Sequence, residues 1–225
     1  MRGYDKYKRP SDLALIAVAL VALFPLWVAA GLAIPLAIRL EDGGSVLYRQ
    51  ARLGRGGRVF RILKFRTMVE GAEERTGPVR AACPDARATA VGRLLRRFHL
   101  DELPQVMNVV RGDMSLVGPR PERPALAARI EREVPGFSRR LGVRPGIAGL
   151  AQARGGGDMA ARRKLRYDLL YIATMGPWLD LKLCLLCGWK ALSGASAVID
   201  SGARVSSARS GGRTAALAAP VAGRR

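Results

Sequence analysis

The chain has 225 residues, 49% of them apolar, and 38 Lys and Arg against 18 Asp and Glu give it a formal charge of +20. Its length suits one domain with appendages, and its apolar fraction excludes a disordered polyelectrolyte. Three cysteines are too few for a disulfide scaffold, and a single histidine excludes a His-built metal site. Of the cations, 32 are arginine. The planar guanidinium fork matches phosphate oxygens two at a time, which points to nucleic acid, anionic lipid headgroups or a nucleotide-activated substrate.

Residues 1–40 read as a basic N-terminus followed by a membrane-entering segment. From Leu13 to Ile38, 26 residues carry no charged side chain. A straight helix of that length measures about 39 Å, more than the ~30 Å hydrocarbon core requires, so an ordinary spanning anchor is one reading. A cleaved signal peptide fits worse, because the run is long and arginines crowd the region after it. Two features favour a re-entrant hairpin. Pro25 has 12 residues of the run before it and 13 after; its missing donor and its ring kink a helix there, leaving two arms of about 18–20 Å. Basic residues also stand on both flanks: Lys6, Lys8 and Arg9 before the run, and seven cations with no acid across 49–66 after it. Cytoplasmic flanks carry such an excess, and a hairpin keeps both flanks on that side.

Residues 41–192 read as the main folded domain, giving a helix-rich α+β class with one small β-hairpin. Segments 45–50 and 58–65 are predicted strands joined through Gly54, Gly56 and Gly57. Residues 70–90 look irregular, 91–98 a short basic helix, and 104–110 a helix with proline tolerated in its first turn. Gly118-Pro119-Arg120-Pro121 is a rigid loop, Pro124 opens an amphipathic helix to Val134, and 143–157 reads as loop before a helix over 160–174. Around Trp178 and Trp189 the apolar stretch is interrupted by Asp180, Lys182 and Lys190. It fits a helix lying on the membrane surface better than a second span. Residues 193–225 read as a basic, mostly disordered tail.

Three places could carry chemistry. Asp101-Glu102 stands at a turn just after Arg93, Arg96 and Arg97, which are expected to keep both carboxylates ionised. An ionised carboxylate can attack phosphorus or bind Mg2+ through oxygen. Arg120 lies between two prolines, so a long cation projects from a preset backbone suited to one phosphate. Lys64 and Arg66 end a strand beside Thr67. Cys184 and Cys187 lack partners for a metal site and read as buried or membrane-facing thiols.

Taken in order, the strings Gln50-x-Arg52-x-Gly54, Lys64-Phe65-Arg66-Thr67-Met68, Gly92-Arg93-Leu94-Leu95-Arg96, Leu100-Asp101-Glu102-Leu103-Pro104-Gln105, Gly112 through Pro121 and Arg144 through Gln152 resemble the bacterial sugar transferase family, the monotopic phosphoglycosyl transferases. The resemblance covers roughly residues 8–192. It implies transfer of a sugar 1-phosphate from a UDP-sugar to a polyprenyl phosphate, with release of UMP, at the cytoplasmic face of the bacterial inner membrane. It further implies Asp101 as nucleophile, Glu102 as a ligand of Mg2+, and Arg96 and Arg120 on phosphate oxygens. Lys64, Arg66, Arg144, Gln152, Lys164 and Asp168 become substrate-binding candidates, and the anchor becomes a re-entrant helix broken at Pro25.

Two departures stand out. Phe24 replaces the serine usual before the helix-breaking proline, and Ala153 through Gly157 replace an Asn-Gly-Arg run. The rival reading from charge alone, a tethered nucleic-acid module, lacks any stacking-aromatic motif. The partners that the resemblance implies are a UDP-sugar, polyprenyl phosphate and membrane lipid, with no nucleic acid.

Overall fold

Two helices of 19 residues begin the chain, α1 (Tyr4–Ala22) and α2 (Phe24–Asp42). The computed structural model describes residues 4–72, 85–155 and 159–193. Between the two helices Leu23 leaves helical geometry (φ −113°, ψ 25°), and Pro25 sits in the first turn of α2. Proline has no N–H to carry the ladder across that junction. Gly43, in the left-handed region at φ 68°, ends α2. Of the two, α2 is long and apolar enough to cross a membrane by length and composition.

The far ends of this helix pair are the ends that are held. Lys8, Asp12 and Ile16 of α1 and Ile34 and Ile38 of α2 are buried. Ile16 packs with Ile62, Val109 and Met114, and Ile34 and Ile38 pack with Leu95. Between them the junction is bare: Val21 is 80% exposed, Phe24 64% and Leu32 69%. An apolar tip therefore projects from a body that grips both of its roots.

The body is helix-rich α+β with two small sheets. Strands β1 (Leu47–Leu53) and β2 (Val59–Phe65) pair antiparallel, Leu47 opposite Phe65 and Leu53 opposite Val59. The first strand runs three residues beyond its predicted end, because pairing continues up to the glycine turn. Helix α3 (Ala90–Arg97) is capped by Thr89, whose hydroxyl accepts from the Gly92 amide. Gly92 is required here: a Cβ on it would lie 2.1 Å from the Thr67 carbonyl oxygen. A 3-10 turn (Leu100–Glu102) and helix α4 (Gln105–Arg111) follow. Asn108 fastens α4 to β2, accepting from the Leu63 amide and donating to the Arg61 carbonyl, both at 2.9 Å.

Beyond α4 come β3 (Ser115–Val117), α5 (Pro124–Glu133), a 3-10 segment (Phe137–Gly142), β4 (Gly146–Ala148), α6 (Leu150–Gly155), α7 (Ala161–Thr174) and α8 (Pro177–Leu192). Strands β3 and β4 run parallel. Neither was expected, because three residues leave no alternation to read and a parallel pair has no local turn signal. Their approach is so tight that a Cβ on Gly146 would sit 2.0 Å from the Gly118 nitrogen. Helix α6 likewise lies inside a stretch read as loop; the glycines after Arg154 mask a short run of good helix formers. The main core gathers Val117, Val143, Ala148, Tyr171, Ile172 and Leu183. All of the predicted tail 193–225 but Ser193, and most of the irregular 70–90 stretch, lie outside the described residues.

Candidate active site

Three separate pieces of chain meet at one pair of carboxylates. Lys64 stands one residue from the end of β2. Asp101 and Glu102 form the 3-10 turn after α3, and Arg120 follows β3 by three residues. The turn begins at His99, with φ 54° the one non-glycine residue at positive φ among the described residues. Such a conformation costs about 1–3 kcal/mol and persists only where its surroundings dictate it. Here it reverses the chain directly ahead of the two acids.

Asp101 is 7% exposed and Glu102 8%. Lys64 donates to Glu102 Oε1 at 2.7 Å and lies 3.6 Å from Asp101 Oδ2. Arg120 closes the other side, donating to Glu102 Oε1 through one terminal nitrogen and to Oε2 at 3.3 Å through the other. Burial by itself raises a carboxyl pKa, but at Glu102 the attraction of Arg120 and Lys64 outweighs it and holds the group well below the ordinary range. Glu102 in turn keeps Arg120 above the usual arginine value.

The arginines just ahead of Asp101 in the chain are not the charges that balance it. Burial pushes it above the ordinary carboxylate value, and neighbouring Glu102 adds to the push; Lys64 is the main opposing charge. The reason is geometric. Arg93 turns to the Ala88 carbonyl and Arg97 lies over the Phe98 ring. Arg96 reaches Thr67 Oγ1 through Nε at 2.9 Å, and its two terminal nitrogens have no partner among the described residues. The cations preceding the pair thus leave Asp101 a comparatively basic carboxylate, with Arg96 free to take a ligand.

The remaining sequence candidates fall elsewhere. Arg66 is paired with Asp42, and Glu70 lies 3.7 Å from it. Arg144 donates to the Gly112 carbonyl at 3.1 Å, at the end of α4. Gln152 donates to the Ile147 carbonyl at 3.0 Å. Lys164 and Asp168 lie behind the Arg120 loop: Lys164 pairs with Glu122, and Asp168 accepts from Arg140 at 2.8 Å.

Arg140, which the motifs did not single out, links that cluster to the site. It is 3% exposed and donates to the backbone carbonyl of Arg120 at 2.7 Å. Arg52 donates to the next carbonyl, that of Pro121, at 3.0 Å. Two guanidinium groups therefore pin consecutive peptides of a loop already stiffened by proline. Position 140 carries little signal, since Ser138 and Arg139 stand beside it between Phe137 and Leu141; in the fold the Phe137 ring lies 4.8 Å from its guanidinium carbon.

Among the described residues no group of three or more His, Cys, Asp or Glu forms. The protein thus offers a carboxylate pair, the ligand set that Mg2+ commonly shares with substrate phosphates. Glu102 Oε2 has one donor, at 3.3 Å, and so keeps acceptor capacity. These residues fit the ion.

Known proteins resemble this chain over most of its length. The family model described as bacterial sugar transferase matches residues 3–194. The chain is 43% identical over 186 residues to the UDP-glucose:undecaprenyl-phosphate glucose-1-phosphate transferase of Caulobacter vibrioides, covering 80% of this chain and 68% of that one. It is 41% identical over 181 residues to the UDP-N-acetylgalactosamine-undecaprenyl-phosphate N-acetylgalactosaminephosphotransferase of Aeromonas hydrophila, covering 79% of this chain and 42% of that one. A third relative, the exopolysaccharide production protein ExoY of Sinorhizobium fredii, is 35% identical over 188 residues, covering 77% and 80%. The chain thus spans less than half of the Aeromonas relative and most of the other two.

The Arg140–Asp168 pair provides a test of the bracing described above. Removing one partner of a buried ion pair strands the other and costs about 3–5 kcal/mol. Arg140→Ala is expected to lose that much in detergent-solubilised unfolding, and Arg140→Met with Asp168→Leu much less. A loss below about 1 kcal/mol for Arg140→Ala would contradict the bracing role.

Proposed function

The chain belongs to the bacterial sugar transferase family, and from that premise we propose that it transfers a sugar 1-phosphate from a UDP-sugar to undecaprenyl phosphate or a similar polyprenyl phosphate. One observation carries the reading: Asp101 and Glu102, both buried, lie against Lys64 and Arg120. In this reading Asp101 Oδ attacks the phosphorus bonded to the sugar. The bridging oxygen–phosphorus bond breaks and UMP leaves with the electron pair, so an aspartyl phosphosugar remains. A phosphate oxygen of the polyprenyl phosphate then attacks the same phosphorus, the Asp101 oxygen–phosphorus bond breaks, and the carboxylate is restored. Both nucleophiles are anions, so neither step requires a general base.

Asp101 suits the first step because burial makes its carboxylate more basic than an ordinary one. Lys64 and Arg120 place positive charge where the phosphoryl oxygens gather negative charge in the transition state. Arg96 binds a phosphate oxygen through its unpaired nitrogens. When bound, Mg2+ on Glu102 and Asp101 would neutralise the diphosphate. The relatives' names point to glucose and N-acetylgalactosamine as the first sugars to test, and to exopolysaccharide as one destination.

We further propose that the α1–α2 pair is a re-entrant hairpin broken at Pro25, dipping into the cytoplasmic leaflet of the inner membrane. Its two roots pack on the same body while the tip between them is bare, which suits a segment that enters and returns. The outer face of α8 supports the same orientation. Trp178, Leu185 and Trp189 are 81%, 67% and 70% exposed, and at about 100° per residue they fall within roughly 40° of one another. Such a face belongs at the interface. It would bring the carboxylate pair to a lipid-borne phosphate.

Incubation with Mg2+ and UDP-glucose or UDP-N-acetylgalactosamine, without lipid acceptor, is expected to add the mass of one sugar phosphate to the intact protein. Asp101→Asn should abolish the adduct and lower turnover at least a thousandfold; an adduct that survives the substitution contradicts the assignment of Asp101. For the hairpin, cysteines placed at positions 11 and 45 of an otherwise cysteine-free protein are expected to react with an impermeant thiol reagent from the same side of inverted vesicles. Labelling from opposite sides would show a span instead.

A further inference from the structure

A second buried charged cluster lies where α1, α7, α8 and β3 meet, and the reaction above makes no use of it. At its centre is Asp180, in the first turn of α8 and 3% exposed. Its Oδ2 accepts from Lys8 Nζ and from the Tyr4 hydroxyl. The Tyr171 hydroxyl lies 2.8 Å from Asp180 Oδ1 and 3.0 Å from the Val117 carbonyl, so it joins α8 to β3. On the far side Ser115 of β3 donates to Asp12 at 2.7 Å, and Asp12 lies 4.0 Å from Lys8. Tyr4, Lys8 and Asp12 follow one another at intervals of four and so share one face of α1.

A buried ionic network is a poor source of stability, since apolar side chains of similar volume serve as well or better. What it can supply is register, because the charges and hydroxyls satisfy one another in one alignment only. The elements it aligns are telling. Helix α1 leads into the bare apolar tip, α8 carries the tryptophan face, and Val117 of β3 is three residues from Arg120. We propose that the cluster of Tyr4, Lys8, Asp180 and Tyr171 is a positioning device. It fixes the height of the Asp101 and Arg120 site above the membrane plane, so that a lipid-borne phosphate comes within reach. These four are positioning residues, and the proposal rests on the transferase reading and the membrane orientation given above.

The two half-reactions separate this role from simple support of the fold. In vesicles of phosphatidylethanolamine and phosphatidylglycerol, the soluble donor should form its adduct whatever the height of the site, whereas the lipid acceptor should not. Asp180→Asn is expected to keep the rapid, acceptor-free release of UMP within twofold of the unaltered protein. Its turnover with polyprenyl phosphate should fall at least tenfold, with a raised KM for the lipid. Tyr4→Phe, which removes one hydroxyl and is the variant that decides if Asp180→Asn does not fold, should show the same split at about threefold. Equal losses in both half-reactions, or none in either, would overturn the proposal.

A readout without chemistry keeps the two readings apart. With Trp178→Phe and Trp189→Phe leaving Trp27 as the single tryptophan, quenching by lipids brominated at different depths reports where the tip lies. Asp180→Asn or Tyr4→Phe should shift that depth profile, and an unchanged profile in both overturns the positioning role. Failure of the unaltered protein to release UMP from any UDP-sugar would instead count against the transferase reading, leaving the depth profile to decide this one.

Discussion

Two neighbouring carboxylates removed from water repel each other and lose their hydration, and everything at this site follows from how that cost is met. Glu102 absorbs both available cations, Lys64 from the β-hairpin and Arg120 from the loop after β3. Asp101 has Lys64 at 3.6 Å as its main opposing charge. The asymmetry separates two chemically similar groups: one held well below the ordinary carboxylate range by its cations, the other pushed above it by burial, as the proposed nucleophile would need. The rest of the fold can be read as the means of keeping that asymmetry. Gly92 lets α3 lie on Thr67, His99 reverses the chain into the acids, and Arg140 and Arg52 hold the peptides beside Arg120.

Much of this was legible in the residues, and what was not has physical causes. Asp101, Glu102 and Arg120 announce themselves because each stands in a stretch whose local stiffness has meaning without a third dimension: a turn before a proline, or a cation between two prolines. The β-hairpin and α3, α4, α5 and α7 were legible from glycines, prolines and periodicity, to within a residue or two at most boundaries. The β3–β4 pair was not, because its specificity lies in a close approach between glycines 118 and 146, which are distant in sequence. Arg140 was not singled out, because one arginine among 32 acquires its role only through burial. In the sequence Asp180 is a polar interruption of an apolar stretch that fits a helix lying on the membrane surface. In the fold it points the other way, into a partnered cluster, and the same interruption marks which face of α8 is inward.

The distribution of apolar surface completes the picture. The bare junction of α1 and α2 and the tryptophan face of α8 are expensive to leave in water. Between them in the chain lies the cationic stretch from Arg49 to Arg66, and arginines near a membrane surface are attracted to anionic headgroups. In the proposed function these surfaces would hold the domain at the plane where a soluble nucleotide sugar and a lipid phosphate can both reach the same carboxylate.

The central claim is that Asp101 acts as a carboxylate whose proton affinity is set by burial against Lys64. The most direct measurement is the pH dependence of single-turnover UMP release in the unaltered protein and in Lys64→Gln. Only ionised Asp101 can attack, so the rate should fall as pH drops through its pKa, and burial places that acid limb above the ordinary aspartate value of about 3.9. Lys64 pulls the pKa down, so its neutral replacement should move the limb to higher pH as well as lowering the plateau. A limb that stays in place in Lys64→Gln, or that lies at the ordinary aspartate value in the unaltered protein, would contradict the account.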